Sequence, residues 1–470
     1  MGELAQETEL LVIGGGPGGY AAAFRAADLG MDVTLVEIDS RPGGACLFRG
    51  CIPSKTYLYL AELIHDAGRA EDMGVRFGDP EIDLDGLRSW KSKVVDKMAG
   101  GLLSLSKQRG VQLIQGRAAF ESSREVRVFE SDAGIIKFKH CILATGSRPV
   151  AFPGTRFRKG GRIMSSTGAL EIPEAPERLF VLGGGYVGLE LGMVYASLGA
   201  RVTLAEMADQ ILPGVDADLV KPLAKRIESL FEDVRLGVRL ESMEETDEKV
   251  TVKIGDGEPE TFDRALVAIG RKPNTDGLKL ENTDVTLDDD GFVTVDEKQR
   301  TSDERIYAVG DLAGGMMLAH KAFREGKVAA EAIAGEPAAF DVRAIPAVVY
   351  TDPQVAWAGL TENEAGESGR DVEIQRFPWK YSGRAATMGL SEGLTKILVD
   401  PESRRVVGVG IVGRDTEGLI SEGVLAIEMG AVIEDVALSI HPHPTLSETE
   451  SEAAEIFLGG AIHAPPGKKK

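Results

Sequence analysis

Two distant stretches of the chain repeat one order of apolar and polar positions. The apolar run Leu10-Leu11-Val12-Ile13 leads into Gly14-Gly15-Gly16-Pro17-Gly18-Gly19, and an Ala-rich helical stretch follows from Tyr20 to Leu29. A second apolar run, Val33–Val36, ends at Glu37. Far downstream, Leu179–Leu182 leads into Gly183-Gly184-Gly185-Tyr186-Val187-Gly188, a helical stretch runs to Leu198, and Val202–Ala205 ends at Glu206. The acid follows the first glycine by 23 positions in both copies (37 − 14 and 206 − 183). Short apolar runs bounded by turn residues predict buried strands, so each copy predicts a βαβ unit. Each continues through a small meander, with pieces at Val126–Phe129 and Ile135–Phe138 or at Val250–Ile254, to a returning strand at Cys141–Pro149 or Leu266–Pro273. The pattern predicts an α/β fold with two Rossmann-like dinucleotide-binding domains.

A strand at Ile306–Val309 and a helix from Leu318 to Ala334 follow. Beyond Arg343 the texture changes: Val348–Tyr350, Glu373–Phe377, Thr395–Val399 and Val406–Val412 read as strands without Gly-rich turns. Thr361-Glu362-Asn363-Glu364 is a capping box opening a helix, and Glu417–Met429 reads as another. These predict a third, C-terminal α+β domain. The expected divisions are 1–150 with 275–343 returning to it, 151–274, and 344–470; 470 residues suit three domains at ~150 each. The closing lysines, Lys468 to Lys470, read as a solvated end.

Composition narrows the partners. With 53 basic and 74 acidic residues the net charge is −21, which argues against nucleic acid or an anionic membrane as the main partner. No apolar run approaches the ~18 residues of a spanning helix. The acidic start predicts no signal peptide, and Gln6 breaks the myristoylation pattern. Three cysteines make no secreted disulfide framework, so a reducing, cytoplasmic interior is expected.

The candidate chemistry lies in the glycine loops and in one cysteine pair. Gly14, Gly16 and Gly19 follow a strand and open a helix, as a dinucleotide fingerprint requires. The first glycine permits the tight turn, the second admits a pyrophosphate against the backbone, and the third lets helix and strand pack closely. Glu37 is then placed to bind adenosine ribose hydroxyls. Gly183, Gly185, Gly188 and Glu206 repeat the case. A carboxylate at Glu206, with no Arg or Lys in residues 206–210, suits the free 2′-hydroxyl of NAD rather than the phosphate of NADP. Cys46 and Cys51 stand five apart in Gly43-Gly44-Ala45-Cys46-Leu47-Phe48-Arg49-Gly50-Cys51-Ile52-Pro53-Ser54-Lys55. A structural bridge over so short a loop gains little chain entropy. Metal binding needs further ligands, and the only other cysteine, Cys141, lies in an apolar strand; no metal is expected. A redox pair fits best, with a nearby helix start favouring the thiolate. His443 sits between Pro442 and Pro444, and Glu448 five positions on could orient its imidazole as a general base, although a histidine in such a loop is also commonly just exposed.

The cysteine segment resembles the active-site loop of the pyridine nucleotide–disulfide oxidoreductases, usually Gly-Gly-Thr-Cys-Leu-Asn-x-Gly-Cys-Ile-Pro-Ser-Lys. The likeness spans nearly the whole chain, including both fingerprints, Ala144-Thr145-Gly146, Ala308-Val309-Gly310-Asp311 and Leu318-Ala319-His320-Lys321. Gly184 to Gly192, Glu206 and His441-Pro442-His443-Pro444-Thr445-Leu446-Ser447-Glu448 bring it nearest to the branch that oxidises dihydrolipoamide. The resemblance implies FAD in the first domain, NAD in the second and a homodimer joined by the third. It implies Cys46 as the interchange thiol and Cys51 as the thiol facing the flavin, with Lys55 and Glu190 paired near flavin N5. Asp311 would bind the ribitol, Ala319 would face the pyrimidine edge, Ala118 would touch FAD, and Gly270 would touch NAD. His443 and Glu448 would serve the partner subunit's dithiol. Lipoyl-bearing proteins of 2-oxoacid dehydrogenase complexes or of the glycine cleavage system are the implied partners, since no lipoyl-bearing segment is read before the first strand. Rival readings are a sibling disulfide or mercuric reductase and a flavin-binding subunit without turnover. The chain departs from the usual pattern at Phe48-Arg49, Phe323-Arg324 and Pro442.

Overall fold

The run at residues 10–13 forms the end of a central strand, β1 (Ala5–Ile13), in a computed structural model that describes residues 5–131 and 134–465. The closing lysines and residues 1–4 lie outside the described residues. Leu10 and Val12 face one apolar core, Leu11 and Ile13 the other. Burial on both faces explains why the run is continuous rather than alternating. Helix α1 (Pro17–Asp28) leads to β2 (Val33–Glu37), followed by α2 (Gly44–Arg49), α3 (Cys51–Arg69) and α4 (Leu84–Gln108). Strands β3 (Gln112–Gln115), β4 (Arg117–Ser122), β5 (Glu125–Phe129) and β6 (Ile135–Leu143) complete the order β3-β2-β1-β6-β5-β4. The last residues of β6 pair in parallel with the strand Ile306–Ala308, so the chain returns to its first sheet after the second. The helix Ala319–Ile333 then packs on α1.

The second sheet is parallel and five-stranded, in the order Asp233–Arg235, Arg201–Ala205, Arg178–Leu182, Arg264–Val267 and Ile163–Met164. The helix Tyr186–Ser197 opens at its glycine loop. A separate antiparallel meander holds Leu240–Glu245, Val250–Ile254 and Glu260–Phe262. The two returning strands expected at Cys141–Pro149 and Leu266–Pro273 each break in the middle. Gly146 (φ +68°) and Gly270 (φ +121°) turn the chain after Leu143 and Val267. The tails, Ser147–Pro149 and Arg271–Pro273, pair antiparallel with each other and form a two-stranded neck between the first and second sheets.

The third sheet is antiparallel, ordered Ala347–Val349, Gln354–Gly359, Val406–Gly413, Leu394–Val399 and Glu373–Pro378. The expected capping box is present: Thr361 accepts from Glu364 N–H, and the Glu364 carboxylate accepts from Thr361 N–H. Lys396, buried in this sheet, meets Asp216 (2.6 Å), Asp218 (2.7 Å) and Glu362 (3.2 Å). That ammonium, with Arg376 beside Asp218 and Glu362, already occupies the one place among the described residues where three carboxylates converge. No helix among the described residues is long and apolar enough to cross a membrane.

Candidate active site

Both glycine loops have the geometry their spacing implies. Gly14 adopts φ +102°, and a Cβ on Gly19 would overlap the Gly14 carbonyl oxygen. Gly183 and Gly188 repeat these constraints. In each copy the acid at the next strand end turns back onto the loop. Glu37 accepts hydrogen bonds from Gly15 N–H and from Asp39 N–H (3.0 Å). Glu206 accepts from Gly184 N–H (2.6 Å) and Ala208 N–H (2.8 Å). Burial pushes the Glu37 carboxyl up, against these backbone bonds. Arg235, whose carbonyl accepts from Glu206 N–H, has its guanidinium engaged by Asp233 and Glu260.

A cavity of about 830 Å³ runs from Gly14, Gly16 and Glu37 to the two cysteines. Ala118, Asp311 and Ala319 also line it, as do Lys55 and Glu190. It is long and bare at the glycine loop, where missing Cβ atoms leave the backbone open, so an extended dinucleotide fits it. The lining therefore gathers the first-loop glycines Gly14 and Gly16 with Glu37, Ala118, Asp311, Ala319, Lys55, Glu190, Cys46 and Cys51. Gly19 lies beneath the turn. Gly183, Gly185 and Gly188 of the second loop, with Glu206 and Gly270 just past the ends of strands in the second sheet, do not line this cavity.

Cys46 sits on the short helix α2, and Cys51 opens α3, at the positive end of that helix. Both are free thiols and hydrogen-bond each other. That bond, then burial, pushes Cys46 up. The same bond from Cys46, helped by the Lys55 ammonium, brings Cys51 down to about 7 against the opposing effect of burial. Lys55 donates to both Glu190 oxygens (3.0 and 2.8 Å), and Glu190 is only 3% exposed. The pair thus joins α3 to the second domain's helix. His443 Nδ1 lies 2.8 Å from Glu448, which opens the helix Glu448–Leu458 and also accepts from Thr445 N–H (2.7 Å). Burial would raise the Glu448 carboxyl, but these two bonds hold it below the usual range. The His443 side chain is 69% exposed and does not line the cavity. Within one chain, imidazole and dithiol stay apart.

Several contacts had no reading in the sequence. Tyr350 donates its N–H to Glu190 (3.0 Å), with Lys55 Nζ 4.4 Å from its ring centroid. Arg271 donates to Ser147 Oγ (2.7 Å), and that hydroxyl donates to Asp311. Ser147 and Arg271 each follow the glycine that breaks a returning strand, so aligning the two repeats would have found them; Tyr350 carries no local signal. Arg49, inside the cysteine turn, grips Asp39 with two hydrogen bonds (3.1 and 2.6 Å). His320 is hydrogen-bonded at 2.7 Å to the Pro346 carbonyl.

Comparison with known proteins agrees with this architecture. Residues 8–326 match the family model for pyridine nucleotide-disulphide oxidoreductase, and residues 345–454 match that family's dimerisation domain. A dihydrolipoyl dehydrogenase of Haloferax volcanii is 48% identical, covering 98% of this chain and 99% of its own. One from Vibrio parahaemolyticus is 44% identical, covering 98% of each. Among solved structures, LpdA from Mycobacterium tuberculosis superposes with a TM-score of 0.89 at 27% identity, covering 96% of this chain and 99% of that one. The HOCl-induced flavoprotein disulfide reductase RclA of Escherichia coli gives 0.85 at 26%, covering 95% and 99%. With two glycine-loop domains, a dithiol at their junction and a matched third domain, this chain belongs to the pyridine nucleotide-disulphide oxidoreductase family.

Proposed function

We propose that this chain oxidises the dihydrolipoyl group of a carrier protein and reduces NAD+ to NADH, acting as an FAD-containing homodimer. The observation that carries the reading is the dithiol: Cys51, lowered to about 7, lies with Cys46 in a dinucleotide-sized cavity walled by Lys55 and Glu190. Gly14, Gly16 and Glu37 hold the adenosine diphosphate half of FAD, with Gly19 keeping the turn beneath them closed, while Ala118, Asp311 and the helix start at Ala319 hold the rest. When bound, FAD carries the electron pair between the dithiol and the nicotinamide. Gly183, Gly185, Gly188, Glu206 and Gly270 hold NAD. The two carboxylate-bearing loops and the full-length kinship with dihydrolipoyl dehydrogenases support both assignments.

The thiol chemistry starts from a Cys46–Cys51 disulfide. His443 of a second subunit, oriented by Glu448, takes a proton from one substrate thiol. The resulting thiolate bonds to Cys46 Sγ, the disulfide breaks, and Cys51 leaves as a thiolate. The second substrate sulfur then displaces Cys46, which takes up a proton. Substrate leaves as a disulfide, and its electron pair stays on the reduced cysteines. His443 is directed outward from a domain whose Leu438 and Ile440 are 78% and 100% exposed in the single chain, which supports a partner closing over that face. The lipoyl carriers are those of 2-oxoacid dehydrogenase complexes or the glycine cleavage system. The small cysteine content supports work in the reducing cytoplasm. Anaerobic mixing with free dihydrolipoamide and NAD+ tests the reading: NADH absorbance should rise, and none at any enzyme concentration removes it.

A further inference from the structure

Behind the cavity wall lies a buried ion pair that the thiol chemistry does not use. Lys321 and Glu325 stand four residues apart on the helix Ala319–Ile333, with side chains 7% and 4% exposed and Nζ 2.5 Å from Oε1. Lys321 also donates to the Gly314 carbonyl (2.9 Å), and Glu325 accepts from Gly310 N–H (2.7 Å). The pair thus grips both ends of the loop that carries Asp311. Gly310, Asp311 and Ala319 all line the cavity, so the Glu325 carboxylate is one hydrogen bond behind it. Burial pushes the Glu325 carboxyl up, and Lys321 opposes that.

Helix stability does not explain this placement. A cation in the first turn opposes the helix dipole, and Lys preceding Glu by four is the weaker orientation of such a pair. Both ions are also removed from water, which is costly unless each is fully bonded. The bonds they make are to the cofactor loop.

We infer that Lys321 and Glu325 are a positioning pair that fixes the Gly310–Gly314 loop and sets the field at the flavin's pyrimidine edge. This rests on the functional reading that places FAD in the cavity with that edge at Ala319. Lys321 adds to the positive helix start, favouring the anion of reduced flavin, and Glu325 offsets it. Removing Glu325's charge should therefore favour reduced flavin.

The test is the flavin midpoint potential of the holoenzyme, by dye equilibration, in wild type, Glu325→Gln, Lys321→Met and the double variant. Glu325→Gln should favour reduced flavin about tenfold, or about 30 mV for a two-electron couple. Lys321→Met should not raise the potential, and the double variant should lie near wild type. An unchanged potential in Glu325→Gln, or an equal rise in both single variants, overturns the inference, because a purely structural clamp loosens alike from either end. If Glu325→Gln sheds flavin, Glu325→Asp decides: the charge stays, so the potential should hold while hydrogen exchange at Gly310–Gly314 quickens. A shift of tenfold there overturns the inference. A wild-type chain that takes up no flavin defeats both readings, whereas one that holds flavin but makes no NADH defeats only the functional one.

Discussion

Replacing Lys55 by Met removes the one ammonium that both lowers Cys51 and neutralises Glu190. In the native site Cys51 lies at about 7, against 9.0 for an ordinary thiol; the hydrogen bond from Cys46 contributes most, and Lys55 adds to it. Glu190 and burial act the other way. Losing Lys55 leaves the carboxylate unopposed, so Cys51 must rise. A rise of ~1 unit cuts the thiolate fraction near pH 7 from ~1/2 to ~1/11, a ~5-fold fall in nucleophile. The assay is the rate of iodoacetamide alkylation of the anaerobically reduced enzyme across pH, with Cys51 located by mass spectrometry. Lys55→Met should shift the half-maximal rate upward and converge with wild type above about pH 9, where Cys51 is ionised in both enzymes. Glu190→Gln should shift it downward, since it removes an opposing charge. The two variants also differ in stability. Lys55→Met strands a buried carboxylate, costing about 1.5–3 kcal/mol, whereas a Gln at Glu190 still accepts from Tyr350 N–H. Identical half-maximal pH in wild type and Lys55→Met would refute the assignment of Lys55 as the field that primes Cys51.

Glu448→Gln and His443→Gln should each lower dihydrolipoamide turnover by about 10²–10⁴-fold, the usual worth of a positioned base, while leaving FAD bound; full activity in either would place the base elsewhere. Gly19→Ala should abolish flavin retention in purified protein, because its Cβ would overlap the Gly14 carbonyl; a yellow, stoichiometrically loaded variant would count against the cavity as the dinucleotide site. Asp352 is pushed up by burial, but His65, Arg69 and Arg226 hold it at about 2. Its folded value lies below the unfolded ~3.9, so it contributes ~2–3 kcal/mol that is fully present above about pH 4 and is lost as pH falls through about 2. Asp352→Asn should therefore destabilise at neutral pH and converge with wild type in acid, as read by denaturant titration at several pH values.

The parts of the site legible in the sequence are those where chemistry admits one residue type. Gly14 and Gly19 are needed because a side chain has no room, and Cys46 and Cys51 because only sulfur forms the bond. His443 and Glu448 were also readable, being five apart on one turn. Lys55–Glu190 and Lys396 with its three acids were not readable as contacts, since each depends on where separate elements meet; the spacing of Lys321 and Glu325 puts them on one helix face, but the depth of their burial has no local signal. Lys55 and Glu190 entered only through family resemblance. Helix α4 escaped notice for a related reason: over 25 residues it buries only Lys91, Val95, Ala99 and Ser106, too sparse a stripe to announce a helix. The breaks at Gly146 and Gly270 carry an ordinary turn signal, a glycine followed by Ser147-Arg148 or Arg271-Lys272, but nothing local says that the two tails pair with each other.

The paired tails at Ser147–Pro149 and Arg271–Pro273 have an architectural consequence. Entry to and exit from the second sheet run side by side, about 5 Å apart as antiparallel neighbours do. Everything between them is thus a cassette spliced into an otherwise continuous host. On the proposed role of Glu206 in coenzyme choice, cutting at residues 150 and 270 and grafting a homologous unit with a different acid-or-arginine choice at that position should exchange coenzyme preference without redrawing the host's own sheet.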